Sequence, residues 1–317
     1  MFNKFKNMDP AESVLLKKRT LNVVVNIFRY FFLLALSYVV LFQLMYMISY
    51  SIRPAVDAYN PSVAWIPSRF TLDNFNIALE ALEYFKTGWT SVWVMLVAGM
   101  IEVFTCAVVA YGFARFEFKE KNFLFFLVLL TIMVPVQMLI IPMYLNYSHF
   151  DVLGILDLFR QWTGVDLRVN LLDTALTFYL PSLFAVGVRS GLFIFIYRKF
   201  FEGLPRELEE AAYVDGAGPL RTFLSVILPS SGVVFLTVTI FSAIWHWNES
   251  YMAGMFMQNN PTLAVMLEAF SSSTLGGTDT RMAEMAACLL FVLPMLLMYM
   301  VLQRQFVQSI DRVGIVG

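Results

Sequence analysis

Six stretches of the chain are apolar over lengths that suit a membrane span. They cover residues about 30–50, 89–114, 123–145, 174–197, 222–245 and 285–303. A helix needs roughly 20 apolar residues to cross about 30 Å of hydrocarbon, whereas barrel strands would be about ten residues long and alternate in polarity. The sequence therefore predicts an all-α, polytopic membrane protein with about six transmembrane helices.

The composition excludes several other classes of protein. Hydrophobic residues make up 59% of the 317 residues and charged residues only 14%, whereas a soluble domain carries about 25% charged residues. This balance argues against a soluble enzyme and against intrinsic disorder. The two cysteines, Cys106 and Cys288, lie within apolar runs, so neither a disulfide framework nor a metal site is indicated.

The lysines and arginines predict the orientation of the spans. With the N-terminus inside, 15 of the 22 basic residues fall on the cytoplasmic side and six outside, while Arg189 lies within the fourth span. Cytoplasmic loops carry the excess of basic residues, so both termini are expected in the cytoplasm. This gives a cytoplasmic tail over residues 1–29, a transmembrane domain over 30–306 and a second cytoplasmic tail over 307–317. The first apolar run is too long for a cleaved signal and is expected to be retained.

Motifs of catalysis and nucleotide binding are missing from the sequence. There is no G-x-x-x-x-G-K-[ST] phosphate loop and no H-E-x-x-H motif. The two histidines, His149 and His246, are far apart and near the outer ends of predicted spans, where an interfacial position is expected of them. The basic residues follow the membrane topology, so we predict neither an enzyme nor a nucleic-acid-binding protein.

The cytoplasmic loop between the fourth and fifth spans, about 198–229, carries its own helix signals. Pro205 suits the first turn of a helix, the glutamates that follow suit its positive N-terminal end, and Gly216 suits a left-handed stop. Leu208, Ala211 and Ala212 fall at i, i+3 and i+4 and would share a shallow face. The loop is therefore expected to dock another protein, with a helix lying on the lipid headgroups as the alternative.

Two charged residues interrupt predicted spans at similar depth. Glu102 lies about halfway along the second span and Arg189 about halfway along the fourth. A charge at the bilayer centre costs about 2.5–3.5 kcal/mol on insertion scales and usually faces the bundle interior or a wet cavity. We expect the two side chains to pair with each other or to line a translocation pathway, and a purely structural ion pair remains the alternative.

The cytoplasmic loop resembles the EAA loop of ABC-importer permeases. That family has the pattern E-A-A-x3-G-x9-I-x-L-P, and the corresponding residues here are Glu210-Ala211-Ala212, Gly216 and Val226-Ile227-Leu228-Pro229, with Val226 as the one departure. The segments Thr71–Phe75, Val134–Gln137 and Gln303–Val307 are similar to the carbohydrate permeases of the maltose-transporter MalG type. The long basic N-terminal tail, Glu102 and Arg189 are less typical of them.

The resemblance implies a mechanism and a set of partners. It implies a second, non-identical permease, two cytoplasmic ATPase subunits that bind ATP and Mg, and an extracytoplasmic solute-binding protein, in a bacterial or archaeal inner membrane. No cofactor is expected on this chain itself. The contact with the ATPase would be made by Glu210, Ala211, Ala212, Asp215, Gly216, Leu228 and Pro229.

The resemblance also implies a carbohydrate substrate, expected to be a di- or oligosaccharide. Aromatic faces and directed hydrogen bonds recognise sugars, which makes Trp247 and Asn248 pathway candidates beside Glu102, Gln137 and Arg189. An outer aromatic belt is the alternative reading of the tryptophans. The rival functions are a permease of the same type for a polyol or glycerol phosphate, and a secondary transporter, which would need internal repeats and ion-coupling residues.

Overall fold

The protein is built from α-helices. Its structure is a computed structural model, which describes residues 10–60, 63, 65–151, 154–273 and 278–313. Residues 1–9 and 314–317 of the two predicted tails lie outside the described residues. Within the described ranges, the β-structure consists of one isolated antiparallel bridge between Phe150 and Val169. The expectation of an all-α membrane protein is confirmed.

The α-helices follow one another along the chain. The first half contains α1 (Pro10–Ser51), α2 (Asp73–Ala81), α3 (Tyr84–Trp93), α4 (Gly99–Arg115), α5 (Lys121–Met133), α6 (Val136–Ser148) and α7 (Ile155–Thr163). The second half contains α8 (Leu176–Leu183), α9 (Ser190–Gly203), α10 (Glu207–Val214), α11 (Pro219–Thr222), α12 (Leu228–Ser230), α13 (Gly232–Trp247), α14 (Tyr251–Phe256), α15 (Leu263–Ser273) and α16 (Thr278–Val313). One π-helical turn, Val94–Ala98, joins α3 to α4, and a second, Phe223–Ile227, joins α11 to α12.

Three helical stretches are long and apolar enough to cross a membrane unbroken. They are Lys18–Ser51, Tyr84–Arg115 and Thr280–Arg304. They contain the first, second and sixth apolar runs of the sequence. On α1, the apolar side chains from Leu21 to Leu41 are largely exposed, as expected of a surface that meets lipid or another membrane subunit.

The other three apolar runs are not straight helices, although the sequence favoured one helix across each. The third run is the pair α5 and α6, bent by 100°, and the fifth is the pair Pro219–Ser230 and Gly232–Trp247, bent by 82°. Pro135 ends α5 because it keeps Val134 extended and offers no N–H, and the second bend falls at Ser231 before Gly232. The fourth run, 174–197, is divided into α8 and α9.

Residues 184–189 separate α8 from α9. Pro181 lies inside α8 and provides no N–H to its helix. Two residues that are not glycine, Ala185 and Arg189, then take left-handed backbone angles, with φ of 55° and 66°. Left-handed angles cannot continue a right-handed helix, so the chain turns before α9 begins.

The chain divides into two compact units. The first consists of Met1–Phe75 with Thr278–Leu289, and the second of Asn76–Gly277 with Leu290–Gly317. In the first unit, Arg53 is buried beside α1, where its guanidinium donates to Ser49 Oγ at 2.9 Å and to the Val63 carbonyl at 3.2 Å. The Asn74 amide donates to the carbonyls of Ser51 and Arg53 at 2.9 and 2.7 Å. These bonds fix the chain where it leaves the membrane-spanning helix.

The core of the second unit is built from α4, α9 and α13. One stripe of α4 is made of small buried side chains, namely Cys106, Ala107, Ala110 and Ala114. Small residues let helices approach closely in a membrane protein, and α9 supplies the large partners Phe193, Tyr197 and Phe201. Glu102 lies on the same stripe, one turn before Cys106, and is therefore carried into the core.

Candidate functional site

The loop that the sequence predicts to be cytoplasmic forms a short helix, α10, that ends at a left-handed glycine. The helix begins at Glu207, so Pro205 lies in the preceding turn and not in the first helical turn as expected. At the other end, Gly216 has φ of 79°. Its N–H donates to the Tyr213 carbonyl at 3.0 Å, and the Ala217 N–H donates to the Ala212 carbonyl at 2.9 Å. This is a Schellman cap, and the expected stop at Gly216 is confirmed.

One face of α10 is held against the rest of its unit. Glu209 Oε1 lies 2.9 Å from Arg115 Nε, and both side chains are more than nine-tenths buried. Ala212, one turn along the helix, is also buried. Ala212 therefore packs within this chain whereas Ala211 is exposed, and the contact of both alanines with another protein stays a prediction.

The opposite face of α10 is exposed. Glu210, Ala211 and Val214 all lie on it, and Val214 is 87% exposed. Leu220, at the start of the next helix, is 68% exposed. An exposed apolar surface beside a charged residue is typical of a site that meets another protein.

The remaining predicted coupling residues differ in their surroundings. Asp215 and Pro229 are exposed, whereas Leu228 packs against the hydrophobic core next to the fully buried Ile227. Leu228 and Ile227 therefore anchor the loop to its own chain.

A second group of polar residues lies inside the membrane-spanning part of the same unit. Ser190 Oγ donates to Glu102 Oε1 at 2.5 Å, and the second oxygen, Oε2, lies 3.6 Å from His246 Nε2. His246 Nδ1 is 2.9 Å from the Ser242 carbonyl. Glu102, Ser190, Ser242 and His246 are buried, and we call them the Glu102 cluster. Buried charged and polar groups need such partners.

The backbone between α8 and α9 packs directly on this cluster. A Cβ atom added to Gly187 would lie 2.9 Å from Glu102 Oε1 and 2.8 Å from Ser182 Oγ. The absence of a side chain at this position lets the irregular segment close over the carboxylate.

Glu102 and Arg189 do not form the expected pair. Among the described residues no ion pair joins them, and the Arg189 guanidinium carbon instead lies 5.7 Å from the centre of the Trp245 ring. The left-handed angle at Arg189 places Ser190, and not the arginine, against Glu102. Arg189 is exposed.

The other pathway candidates fall in two classes. Gln137 and Asn248 are exposed, and the Asn248 amide donates to the Ile244 carbonyl at 2.7 Å. Trp247 is only 2% exposed, and its indole N–H donates to the Phe291 carbonyl at 3.2 Å. Trp247 is therefore held by contacts within this chain.

Sequence reasoning missed His246, Ser190 and Arg115. His246 was expected at an interface, yet it is 3% exposed and faces Glu102. The available signal was the four-residue spacing from Ser242 to His246, which places both on one helical face. No comparable signal links Arg115 to Glu209, since they come from different helices.

The described ranges contain no group of three or more side chains suited to a metal ion.

Comparisons with known proteins agree with these features. Residues 104–312 match the model of the family described as "binding-protein-dependent transport system inner membrane component". The chain is 25% identical, over 89% of its length and 93% of the relative's, to the arabinooligosaccharides transport system permease protein AraQ of Halalkalibacterium halodurans.

Two further relatives are similar over part of their length. One is the sn-glycerol-3-phosphate transport system permease protein UgpE of Pectobacterium atrosepticum, 30% identical over 63% of each chain. The other is the diacetylchitobiose uptake system permease protein NgcG of Streptomyces coelicolor, 28% identical over 78% of this chain and 75% of the relative.

Among solved structures, the fold is similar to a chain of a bacterial ABC transporter involved in the import of the acidic polysaccharide alginate. The TM-score is 0.66 at 18% identity, over 90% of this chain and 97% of the other. This likeness concerns the fold.

Proposed function

We propose the function of this chain from one premise: it belongs to the binding-protein-dependent transport system inner membrane components. Members of this family are transport permeases, not enzymes, and they work with ATPase and substrate-binding subunits. The chain is a multi-pass membrane permease of an ATP-driven importer. The proposal concerns how it is coupled to the ATPase, how it is assembled and what it carries.

The exposed face of α10 docks into a groove on an ATPase subunit. The observation that carries this is the division of the helix into two faces: Glu209 and Ala212 hold it to its own chain, while Glu210, Ala211 and Val214 are left exposed. A helix fixed on one side can transmit movement of whatever binds the other side. Closure of the ATPase dimer then moves α10 and the helices it is anchored to as one body.

The proposed assembly contains two such permeases, non-identical in sequence, two ATPase subunits and an extracytoplasmic solute-binding protein. ATP and Mg bind to the ATPase subunits. The excess of basic residues in the loops that would be cytoplasmic supports an inner-membrane location with both termini inside. In this arrangement the divided pair α8 and α9 acts as the fourth of six spans.

The proposed substrate is a di- or oligosaccharide. The names of AraQ and NgcG, an arabinooligosaccharide and a diacetylchitobiose permease, support this class. A glycerol phosphate is the second candidate, because UgpE is a relative at 30% identity. Glu102, Gln137, Arg189, Trp247 and Asn248 stay candidates for the pathway, and the exposed ones, Gln137, Arg189 and Asn248, are best placed to meet a solute.

Replacement of Ala211 by arginine tests the docking. The side chain is exposed, so a large residue should leave the fold intact and block the approach of an ATPase. We expect normal amounts of the variant in the membrane, loss of the ATPase on purification in mild detergent and loss of ATP-driven uptake. Ala269→Arg is the matched control, since Ala269 is an exposed alanine in α15. Retention of the ATPase and of uptake in Ala211→Arg would contradict the proposal.

A further inference from the structure

The segment that contains α7 begins and ends beside the last turn of α6. The Phe150 N–H donates to the Val169 carbonyl at 2.9 Å, and the Val169 N–H donates to the Phe150 carbonyl at 3.3 Å. The Leu171 N–H donates to the carbonyl of Tyr147, a residue of α6, at 2.9 Å. Because α5 and α6 together qualify as one bent membrane span, these bonds hold α7 near the end of a span.

The apolar side chains of α7 form one exposed stripe. Ile155, Leu158 and Trp162 fall at i, i+3 and i+7 and therefore share a face of the helix. All three are exposed, and Trp162 is 92% exposed. Phe159, beside them, is also exposed, and no residue of α7 is buried. The described part of the chain leaves this stripe uncovered, and an exposed apolar surface of this kind meets lipid or protein.

The other face of α7 carries charges that are paired within the same segment. Arg160 Nε donates to Asp157 Oδ1 at 3.0 Å, and Gln161 Nε2 donates to Asp157 Oδ2 at 3.0 Å. After the helix, Arg168 donates to the two oxygens of Asp166 at 2.9 and 2.6 Å. Each arginine has its own carboxylate, so these two pairs add no net charge. An apolar stripe opposite a polar face is the pattern of a helix in the plane of a membrane interface, and balanced charge suits zwitterionic headgroups.

The start of α7 is tied to the bridge. Asp151 follows the bridged Phe150 directly, and its carboxylate accepts the N–H groups of Leu156 and Asp157 at 2.8 and 2.7 Å. The chain itself therefore sets how the apolar stripe is turned. A surface that is ordered before it meets its partner loses little conformational freedom on binding.

The continuity of the apolar surface and the paired charges both favour the bilayer as the partner of α7. The preceding helix, α6, carries an exposed apolar stripe of its own, formed by Met138, Ile141 and Leu145, which ends about one turn before the helix does. The exposed apolar surface of the membrane-embedded chain therefore continues to the base of α7. Tryptophan is enriched at the membrane–water interface, whereas a protein partner recognised by charge would need charges that α7 has already paired.

We propose that α7 is an interfacial helix that docks on the outer leaflet of the bilayer. The stripe Ile155–Leu158–Trp162 lies at the boundary between headgroups and acyl chains, about 5–10 Å deep, and the polar face points toward water. The leaflet is the outer one because the basic residues predict that the loop after the third span lies outside. The inference needs only a membrane-embedded chain, and it does not depend on how α10 meets the ATPase or on which solute is carried.

The test measures the depth of α7 with a nitroxide label in the assembled importer, reconstituted in phosphatidylcholine liposomes. The label is attached to Trp162→Cys, and Gln161→Cys is the matched control on the polar face. Both residues are exposed, so the chain alone does not distinguish them. We expect the ratio of collisions with oxygen to collisions with the water-soluble complex Ni-EDDA to be roughly fivefold higher at 162 than at 161. Any signal from Cys106 and Cys288 is measured in the unsubstituted importer and subtracted.

A second measurement keeps the native side chain. Brominated acyl chains should quench the part of the tryptophan emission that Trp162→Phe removes, and aqueous iodide should not. Equal collision ratios at 161 and 162, together with quenching by iodide, would place α7 in water and overturn the inference. A label at 162 that is shielded from both oxygen and Ni-EDDA would show that another protein covers the stripe, and this result would overturn it too.

Discussion

Arg115 Nε and Glu209 Oε1 lie 2.9 Å apart and tie α10 to the last residue of α4. The same guanidinium donates to the Leu204 carbonyl at 2.8 Å, where α9 has just ended. One arginine therefore holds together the ends of two core helices and the helix that we propose to meet the ATPase.

Replacement of Arg115 by methionine should loosen α10. Removing one partner of a buried ion pair costs about 3–5 kcal/mol, because the other charge stays buried without compensation. We expect a lower unfolding temperature in detergent and faster amide exchange over residues 204–216. The double variant Arg115→Met/Glu209→Met should regain much of the lost stability, since apolar pairs can replace buried ion pairs. A loss in the double variant equal to the sum of the losses in Arg115→Met and Glu209→Met would show that the pair is not coupled.

The effect of replacing Gly216 should depend on whether the new residue tolerates a left-handed backbone angle, and not on the size of its side chain. Nothing lies within 4 Å of a Cβ added there, yet φ is 79°. A left-handed angle costs a residue with a side chain roughly 1–2 kcal/mol, and asparagine tolerates it better than alanine. We therefore expect Gly216→Ala to fray the end of α10 in amide exchange more than Gly216→Asn does. Gly218→Ala, also in open space but without positive φ, should have little effect.

The features that the sequence predicted well are those set by one residue or by composition. Gly216 could be assigned as the helix stop because few residues other than glycine take that angle readily. The apolar runs predicted the membrane class because hydrocarbon thickness alone sets their length. Neither inference needs knowledge of a distant partner.

The features that the sequence missed depend on contacts between distant segments. Ala211 and Ala212 are neighbouring alanines in the sequence, and long-range contacts such as the one between Arg115 and Glu209 decide which face of α10 turns inward. The Glu102–Arg189 pairing failed because it assumed a continuous fourth helix. Two left-handed residues, Ala185 and Arg189, turn the chain there, and no periodicity of apolar residues reports such a turn.

Replacement of Gly187 by alanine should destabilise the second unit. The new methyl group would meet Glu102 Oε1 at 2.9 Å and Ser182 Oγ at 2.8 Å, and overpacking of a core typically costs about 1–3 kcal/mol. Gly88→Ala is the matched control, because Gly88 lies inside α3 with nothing within 4 Å. Alanine there should raise stability by up to about 1 kcal/mol. Thermal unfolding of both purified variants compares the two sites, and equal melting temperatures would contradict close packing at Gly187.

The contribution of Glu102 to stability should come more from its hydrogen bonds than from the volume of its side chain. Glu102→Gln keeps the shape and an acceptor for Ser190, whereas Glu102→Leu leaves the buried Ser190 hydroxyl and His246 without their partner. A buried polar group left unsatisfied costs about 1–3 kcal/mol. We therefore expect Glu102→Leu to unfold at a clearly lower temperature than Glu102→Gln.

A double-mutant cycle separates this effect from a simple loss of packing. Ser190→Ala alone removes a donor to Glu102, and Glu102→Leu alone removes the acceptor, so the two losses should not add. The double variant Glu102→Leu/Ser190→Ala should be more stable than the sum of the single effects predicts, by the roughly 0.5–3 kcal/mol typical of residues in contact. Strict additivity would mean that the Ser190–Glu102 bond contributes nothing to the junction between α4 and α9.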